Sequence, residues 1–570
     1  MKPLHRHDRP SPRKRGLWAA AALAVIFVGG LALSVATARQ AGADSTDVAG
    51  YQELTAQLDS LDNQALDDAD TSQEDDAVSP APSVQPEEIA GPADDELVPI
   101  EQYIPTIYVE LKYATEDNIT GQAVYDFDVP YLRYGTVKKL AQVQEALLEQ
   151  GYSLKIWDGF RPTSAQFDLW EAMPDGRYIA NPYRGYSDHS RGNCVDLTLV
   201  TASGEEIPMP TGFDDFTALA DRDYSDVPAD AAANIQILEN AMVAAGFVPY
   251  SAEWWHYTDE VDYDVVEDFE PAEQLTAVTV SAVGDCILAT GYGFGYANTF
   301  EDYMDRVDGD LSYFFAGVYD ILSADDLTIA NAENVFTTAT ERADKDHQGS
   351  EAFWFKSDPS YAQIYAEGSV EAVSTANNHS HDYGEEGYQQ SLEALADAGI
   401  TTFGYDQVAS YEVKGTTFAL LSFNVWGPLE YGTDLEEMKA QVYEAVMDAR
   451  EWADIVVTSF HWGEEQDTTA NDDQIELAHY AVDCGADLVL GTHPHVLQEV
   501  EVYHGTVIAY SLGNFVYGGA QRPARDTMIL STTFYVDAET GQLAFSRHEE
   551  IAAYVYGLDN ERNDYQPVLA

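Results

Sequence analysis

The stretch Ser187-Asp188-His189-Ser190-Arg191-Gly192-Asn193-Cys194-Val195-Asp196 places a histidine and an aspartate close together, and Glu253-Trp254-Trp255-His256 adds a second histidine downstream. Two histidines and an aspartate can fill three corners of a tetrahedral zinc site and leave the fourth for water. A glutamate three residues before one ligand can accept the proton of that water. Together the two stretches predict a zinc metallopeptidase site in an α+β domain.

The same reasoning assigns a role to each polar side chain. We expect His189, Asp196 and His256 to hold zinc and Glu253 to act as the general base. Arg161, in Asp158-Gly159-Phe160-Arg161-Pro162, is a candidate partner for the negative oxygen of a tetrahedral intermediate. The alternative role for this arginine is a structural salt bridge with the aspartate three residues before it.

Composition limits the partners of the chain. The 570 residues include 99 acidic and 28 basic side chains, a net charge of −71. This balance argues against a nucleic-acid partner, because phosphate binding needs clustered lysine and arginine. The three cysteines, Cys194, Cys286 and Cys484, are widely spaced, which excludes a disulfide framework and a thiolate zinc site. We expect all three to be small buried hydrophobic residues.

The N-terminus predicts export. Residues 1–16 are basic, and Leu17 to Ala38 form an uncharged run of 22 residues, which is enough for a membrane-spanning helix. A basic flank places the N-terminus in the cytoplasm and the rest of the chain outside, as a single-pass protein of the cell membrane. The alternative is a cleaved signal peptide, since Ala36-Thr37-Ala38 has the small-x-small form, and the protein would then be secreted.

The remainder divides by composition. Residues 39–97 are rich in Asp, Glu, Ser and Pro and predict a disordered acidic linker. Residues 98–262 mix helical patterns, such as residues 136–150, with strand patterns, such as residues 195–200. The acidic segment 263–276 is expected to link them to the second domain. Residues 277–570 contain repeated apolar strand-like runs, several followed by a helical pattern, which predicts an α/β domain.

Polar clusters follow several strand-like runs of the second domain. Ligands bind at the carboxyl ends of strands in α/β sheets, so these clusters predict one site, with nitrogen and oxygen donors for one or two metal ions. The candidate residues are Asp285, Glu333, Asn378, His379, His461, His493 and His495.

The first domain also resembles the D-alanyl-D-alanine dipeptidases of the VanX type, over essentially all of residues 98–262. The resemblance is carried by Val109-Glu110-Leu111-Lys112-Tyr113-Ala114-Thr115, Asn118-Ile119-Thr120-Gly121, the Asp-Gly-Phe-Arg-Pro segment, and the two stretches with the histidines. It implies zinc on His189, Asp196 and His256, Glu253 as the base, and Arg161 as the group that stabilises the transition state. It also implies that Ser187, Tyr113 and Asp214 bind the dipeptide.

The chain departs from that family at two positions. Asn193-Cys194 stands where the family usually has a smaller, more apolar pair, and Ile119 replaces the commoner aromatic residue. Neither position is an expected ligand. The resemblance implies D-Ala-D-Ala as the substrate and, because the domain is expected outside the cell, a role in wall-peptide turnover. The alternative is a zinc D,D-carboxypeptidase that acts on longer wall peptides, since the two enzymes share their ligands.

The second domain resembles the CapA, or poly-γ-glutamate capsule synthesis, proteins from about residue 278 to residue 518. The motifs are Gly284-Asp285, Asn331-Ala332-Glu333, Asn377-Asn378-His379, His461-Trp462-Gly463-Glu464, Gly491-Thr492-His493-Pro494-His495 and Tyr510-Ser511-Leu512-Gly513-Asn514-Phe515. The resemblance implies a calcineurin-like metallophosphatase fold, a divalent metal such as Mn, Fe or Zn, and a γ-glutamyl or other envelope polymer as partner.

One feature of the general metallophosphatase pattern is absent from this half. The opening Asp-x-His lacks its histidine, because Asp285 is followed by Cys286 and Ile287. Two hypotheses therefore stand for the second domain: a metal-dependent hydrolase or transferase, or a non-catalytic module that binds polymer.

Overall fold

The computed structural model describes residues 91–345, 352–425, 435–557 and 562–570. The basic N-terminus, the apolar run from Leu17 to Ala38 and nearly all of the acidic linker lie outside these ranges, so their predicted roles stay predictions. Within the described ranges, no helix combines the length and apolar character that crossing a membrane requires.

The first domain contains seven strands and four α-helices. The strands are β1 Leu97–Pro99, β2 Tyr108–Val109, β3 Tyr131–Arg133, β4 Tyr152–Asp158, β5 Cys194–Thr201, β6 Phe247–Pro249 and β7 His256–Asp259. The helices are α1 Ile100–Tyr103, α2 Tyr134–Leu148, α3 Thr163–Ala172 and α4 Ala229–Ala244. Five strands form one sheet in the order β2-β4-β5-β7-β6, in which only β2 and β4 are parallel. The α+β prediction for this domain is therefore confirmed.

Strand β5 separates the core of the first domain from its site. Successive side chains of a strand point to opposite faces of the sheet. Val195, Leu197 and Leu199 are buried in the apolar core with residues of α2 and α4. The alternate residues, Cys194 and Asp196, therefore belong to the face opposite the two helices, where the expected ligands gather.

The second domain begins at Leu275, and its described residues form two large sheets and one small sheet of two strands. Its strands are β8 Leu275–Ile287, β9 Leu327–Ala332, β10 Val335–Phe336, β11 Lys356–Ser357, β12 Ala372–Ser374, β13 Thr401–Phe403, β14 Ala409–Val413, β15 Thr416–Asn424, β16 Ile455–His461, β17 Leu488–Thr492, β18 Val500–Tyr503, β19 Thr506–Ala509, β20 Asn514–Tyr517, β21 Asp526–Asp537, β22 Leu543–Tyr554 and β23 Val568–Leu569. Its helices are α5 Phe300–Arg306, α6 Tyr319–Leu322, α7 Gln363–Glu367, α8 Gly384–Asp397, α9 Leu435–Ala449 and α10 Asp472–Cys484.

The two sheets pack face to face between layers of helices. One has the order β13-β12-β9-β8-β21-β22-β23, with β20 also paired to β8, and the other has the order β14-β15-β16-β17-β19-β18. Apolar residues of both sheets, including Val280, Leu420 and Val457, form the cluster between them. Helices α9 and α10 cover the outer face of the six-stranded sheet. This α/β/β/α arrangement agrees with the α/β prediction, and its near-continuous apolar strands are typical of sheets buried on both faces.

The β21–β22 hairpin joins the two domains. Arg547 of β22 donates hydrogen bonds to both carboxylate oxygens of Glu101, at 2.7 and 2.5 Å, and to Asp128 at 2.7 Å. Tyr535 of β21 donates to Asp128 at 2.8 Å and packs in an apolar cluster with Phe160. Because Phe160 precedes Arg161, the second domain supports the segment that carries this arginine.

Candidate active site

A single turn places the first expected ligand. The Ser187 hydroxyl accepts a hydrogen bond from the backbone N–H of His189 and so caps the 3₁₀ helix Asp188–Arg191. The helix ends at Gly192, whose φ of 74° lies in the left-handed region, and a Cβ there would lie 2.5 Å from Leu97. Only glycine meets both conditions without strain, and β5 then begins two residues later.

Asp196 contacts both of the histidines that are expected to bind zinc. His189 Nδ1 lies 2.8 Å from the carbonyl oxygen of Gly159. Because a carbonyl oxygen only accepts hydrogen bonds, Nδ1 carries the proton. The lone pair of Nε2 is then free to bind a metal, and Nε2 lies 3.4 Å from Asp196 Oδ2. His256 Nδ1 lies 3.0 Å from Asp196 Oδ1. Asp196 of β5 lies directly opposite His256 of β7, and this register produces the contact between His256 Nδ1 and Asp196 Oδ1.

The donor set fits a zinc ion. Oδ1 of Asp196 is buried and accepts no hydrogen bond within the described residues, so it is available to a cation. Although burial would raise the pKa of this carboxyl, the adjacent imidazoles hold it well below its usual range. Asp196, Glu253 and His256 form one compact group of ligand atoms, and Asp158, His189 and Asp196 form another. Two imidazoles and one carboxylate are the donors that open zinc sites use.

Glu253 lies in the turn that leads into β7. Its side chain is buried, with Oε2 3.7 Å from His256 Nδ1. Burial is the main reason that the pKa of this carboxyl rises to about 7. Arg222, which the sequence analysis missed, holds the turn: its Nη2 donates to the carbonyl oxygens of Glu253 and Trp254, both at 3.1 Å, and of His256 at 3.0 Å.

Arg161 forms the predicted salt bridge with Asp158 and also lies near the expected zinc ligands. It donates to Asp158 Oδ2 through Nε at 3.1 Å and Nη2 at 2.6 Å, and to Gln166 through Nη1 at 3.1 Å. It also reaches the site, because Nη2 lies 3.9 Å from Asp196 Oδ2 and the guanidinium lies over the ring of Tyr113. The salt bridge with Asp158 therefore orients the arginine and leaves it facing the expected ligands.

The eight residues predicted for the first domain line one cavity of about 250 Å³. They are Tyr113, Arg161, Ser187, His189, Asp196, Asp214, Glu253 and His256. The Tyr113 hydroxyl donates to Asp214 Oδ2 at 3.0 Å. Burial and the charge of Asp196 raise the pKa of Asp214 to about 7. Such a carboxylate is suited to bind an ammonium group.

Cys194 is buried, as predicted, but it does not belong to the apolar core of the first domain. Its Sγ lies 3.0 Å from Nε2 and 3.7 Å from Nδ1 of His256. Burial raises the pKa of this thiol, but His189 and His256 offset the effect and bring it to about 7. The position was detectable from the sequence, because Cys194 is two residues before Asp196 and strand alternation puts both on the same face.

The second cluster lies where strands of both sheets end. Asp285 Oδ2 is 3.1 Å from His495 Nδ1, and Asp285 Oδ1 accepts a hydrogen bond from Asn331 at 2.8 Å. Glu333 Oε1 lies 3.6 Å from His461 Nε2 and 3.9 Å from His495 Nε2. The ligand atoms of Glu333, His493 and His495 lie within 4.8 Å of one another. Burial and neighbouring histidines lower the pKa of His461 and His493, so both rings are neutral and can bind a metal.

Backbone geometry at this cluster is unusual. His493 has a φ of 97° and His495 a φ of 58°, values that cost free energy for residues with a Cβ and that concentrate at functional sites. A Cβ on Gly284 would lie 1.9 Å from the carbonyl oxygen of Gly513, so glycine is required where β8 approaches that loop. These features explain why glycine and histidine occur together in the motifs of this domain.

Of two further expected members, His379 has a partner outside the cluster, whereas Asn378 contacts the cluster member His461. His379 Nδ1 lies 2.9 Å from Asp382 Oδ2, and Asn378 Oδ1 lies 3.0 Å from His461 Nε2. Ile287, which occupies the histidine position of the Asp-x-His pattern, is buried in an apolar cluster with Phe355. An apolar residue therefore fills the place of the absent donor.

Two family models match separate parts of the chain. Residues 93–270 match the model described as D-ala-D-ala dipeptidase, and residues 279–518 match the model described as bacterial capsule synthesis protein PGA_cap. These matches confirm both resemblances.

Curated relatives show the same division. The chain is 38% identical over 162 residues to a D-alanyl-D-alanine dipeptidase of Escherichia coli, covering 28% of this chain and 83% of the relative. It is 37% identical over 193 residues to a D-alanyl-D-alanine dipeptidase of Streptomyces coelicolor, covering 30% of this chain and 95% of that relative. It is 33% identical over 235 residues to the PGA biosynthesis protein CapA of Bacillus subtilis, covering 38% of this chain but only 60% of that relative.

Proposed function

Because this chain belongs to the D-alanyl-D-alanine dipeptidase family and is a metallopeptidase through residues 93–270, we propose that it is an exported zinc-dependent enzyme that hydrolyses D-Ala-D-Ala in wall-peptide turnover. The observation that carries the proposal is that His189, Asp196 and His256 line one cavity together with Glu253 and Arg161. The basic N-terminus with its apolar run supports export.

We propose that His189 Nε2, Asp196 and His256 Nδ1 hold the zinc ion. When bound, this ion supplies Lewis acidity that activates water and polarises the scissile carbonyl. The hydrogen bond from His189 to Gly159 and the salt bridge between Arg161 and Asp158 orient the surrounding groups before the substrate arrives.

Glu253 and Arg161 provide the remaining chemistry. The Glu253 carboxylate takes a proton from the attacking water and returns it to the leaving amine nitrogen. Arg161 donates hydrogen bonds to the oxygen on which negative charge develops, and its burial strengthens that interaction. Both groups reach the same cavity, so one dipeptide can contact them together.

The polar lining of the cavity favours a dipeptide over a long peptide. Asp214 and Tyr113 form an acceptor for the free ammonium group that D-Ala-D-Ala has and that the penultimate residue of a stem peptide lacks. This pair is the feature that supports the dipeptidase over the D,D-carboxypeptidase.

The full-length protein is expected to release D-alanine from D-Ala-D-Ala with a kcat/KM at least about tenfold above that for a stem pentapeptide ending in D-Ala-D-Ala. One buried ammonium–carboxylate contact accounts for roughly 1.5–3 kcal/mol, which is a tenfold effect or more. Amino-acid analysis of timed reactions measures both rates, with L-Ala-L-Ala as the control. Equal rates on the two D-substrates would instead establish the carboxypeptidase.

For the second domain we propose a divalent metal site on Glu333, His493 and His495, in a domain that acts on an anionic envelope polymer. The buried donors and the strained backbone at both histidines favour the metal-dependent hydrolase or transferase over the non-catalytic module. The similarity to CapA supports a γ-glutamyl polymer as the partner, although this chain spans only 60% of that relative.

We expect the full-length double variant His189→Ala/His256→Ala to retain close to one equivalent of metal after dialysis, because the second cluster is intact. Adding His493→Ala is expected to remove it, since the cluster then loses one of its three buried donors. Elemental analysis of both proteins measures the bound metal per chain. His504→Ala, at an exposed histidine, is the control for loss of an imidazole. A double variant without metal would favour the polymer-binding module.

A further inference from the structure

The loop that carries Arg161 lies between the candidate active site and the second domain. It consists of residues 159–162, between the end of β4 and the start of α3. On the side of the site, the Gly159 carbonyl oxygen lies 2.8 Å from His189 Nδ1, and Arg161 lines the cavity. A shift of this loop would therefore displace the arginine that faces the substrate.

The other side of the loop is covered by the second domain. Phe160 is buried in an apolar cluster with Val129, Tyr131 and Tyr535, and its backbone N–H donates to the carbonyl oxygen of Tyr131 at 2.8 Å. Among the described residues, Tyr535 of β21 is the buried member of this cluster that the second domain contributes. The ring of Phe160 is thus enclosed by side chains of both domains.

Arg547 holds the ring of Tyr535 in place. Its guanidinium lies over that ring, 4.8 Å from the centroid, and its Nη1 donates to the Tyr535 hydroxyl at 2.8 Å and to Asp128 at 2.7 Å. The ring of Phe545 stacks on the same tyrosine with the centroids 4.6 Å apart. Because its ring and its hydroxyl both have partners, Tyr535 presents a fixed surface to the cluster.

We propose that Tyr535 is a positioning residue for the peptidase reaction, which holds Phe160 and, through the backbone of the loop, Arg161. This inference rests on the dipeptidase activity proposed above. Removing the tyrosine ring would leave a cavity beside Phe160, and the surrounding structure relaxes only partly into such a cavity. Phe160 directly precedes Arg161, so its movement is passed to the arginine. The second domain therefore completes the active site of the first.

The alternative is that Arg161 is held by its own side-chain contacts alone. Its guanidinium donates to Asp158 at 2.6 Å and to Gln166 at 3.1 Å. These bonds fix the end of the side chain, whereas the position of its Cα depends on the loop that Phe160 ties to the cluster. Because both ends are restrained, we expect a partial loss of activity when the ring of Tyr535 is removed.

The test measures kcat and KM of the full-length protein for D-Ala-D-Ala. We expect Tyr535→Ala to lower kcat by about 10–100-fold with little change in KM, because a catalytic group misplaced by ~1 Å costs up to about 10²-fold and this arginine acts in the transition state. Tyr535→Phe is expected to keep kcat within about twofold of the parent, since the packed ring remains. Phe534→Leu, at the next residue, whose side chain packs between the two large sheets, is the matched control for lost packing.

A double-mutant cycle shows whether Tyr535 acts through Arg161. In an Arg161→Lys background, Tyr535→Ala is expected to lower kcat by less than about twofold, because residues that act as a unit are not additive. Full additivity would overturn the proposal, as would an unchanged kcat in Tyr535→Ala or an equal loss in Phe534→Leu.

Zinc content and stability are measured in the same proteins. We expect Tyr535→Ala to bind as much zinc as the parent, and equal losses of kcat and of zinc would overturn the proposal by assigning the effect to the metal ligands. Kinetics are compared below the thermal unfolding midpoint of each variant. If Tyr535→Ala does not fold, Tyr535→Leu, which keeps part of the apolar volume, takes its place in the cycle. A parent protein that does not hydrolyse D-Ala-D-Ala would instead refute the proposed function.

Discussion

Glu253→Gln is expected to lower kcat for D-Ala-D-Ala by about 10²–10⁴-fold, the range that a general acid–base contributes. The glutamine side chain keeps the size of the glutamate but cannot accept the proton of the attacking water. The buried position of Glu253, 3.7 Å from His256 Nδ1, leaves little space for a bulk water to replace it. Steady-state kinetics measures the loss, and elemental analysis establishes whether zinc is retained.

Zinc content decides between two roles of this glutamate. We expect the Glu253→Gln protein to bind as much zinc as its parent, because His189, Asp196 and His256 remain. A large loss of zinc would show that Glu253 is a ligand, which its place in a compact group with Asp196 and His256 would permit. Glu260→Gln, at an exposed glutamate just beyond β7, is the matched control and is expected to keep full activity.

Arg161→Lys is expected to reduce kcat by about 10²–10³-fold, as the loss of one preorganised oxyanion donor does. Lysine keeps the charge but cannot donate to Asp158 and Gln166 at once while facing the substrate, because it lacks the planar fork of arginine. The effect should fall mainly on kcat, since the developing negative charge exists only in the transition state. Kinetics with D-Ala-D-Ala gives kcat and KM separately.

Stability must be measured in the same protein. Asp158 is completely buried, and a poorly paired buried carboxylate destabilises the folded state by up to ~3–5 kcal/mol. Thermal unfolding of Arg161→Lys therefore accompanies the kinetics, which are compared below its midpoint. Arg184→Lys, at an exposed arginine, is the matched control for replacing an arginine by a lysine. A folded Arg161→Lys protein with unchanged kcat would leave this arginine with only its structural salt bridge.

Much of the fold was readable in the sequence because its signals are local. The predicted strand at residues 195–200 is β5, and the predicted helix at residues 136–150 is α2, each with ends shifted by one or two residues. In β5, successive side chains alternate between the apolar core and the site. In α2, apolar residues recur about every 3.6 positions and form one buried stripe. The apolar runs of the second domain likewise became β8, β9, β12, β15, β16, β17 and β19.

Only some residues around the site could be predicted from the sequence. Residues in short motifs, such as His189 with Asp196, were found because a turn and a strand fix their spacing. Arg222 was missed, because its three hydrogen bonds go to carbonyl oxygens, which every residue has and no motif marks. The contact of Arg547 with Glu101 spans 446 positions and could not be predicted either, since no local pattern pairs two charges so far apart in the chain.

Helices, strands and donor types could be predicted from the sequence, because side-chain period and ligand chemistry are properties of neighbouring residues. Which donors meet depends on the packing of distant segments. The register of β5 on β7 sets Cys194 beside His256, and the packing of two sheets brings Glu333 to His495. Both arrangements depend on pairing between distant segments, whose free energy comes from burial of the whole sheet and not from the residues of any one motif.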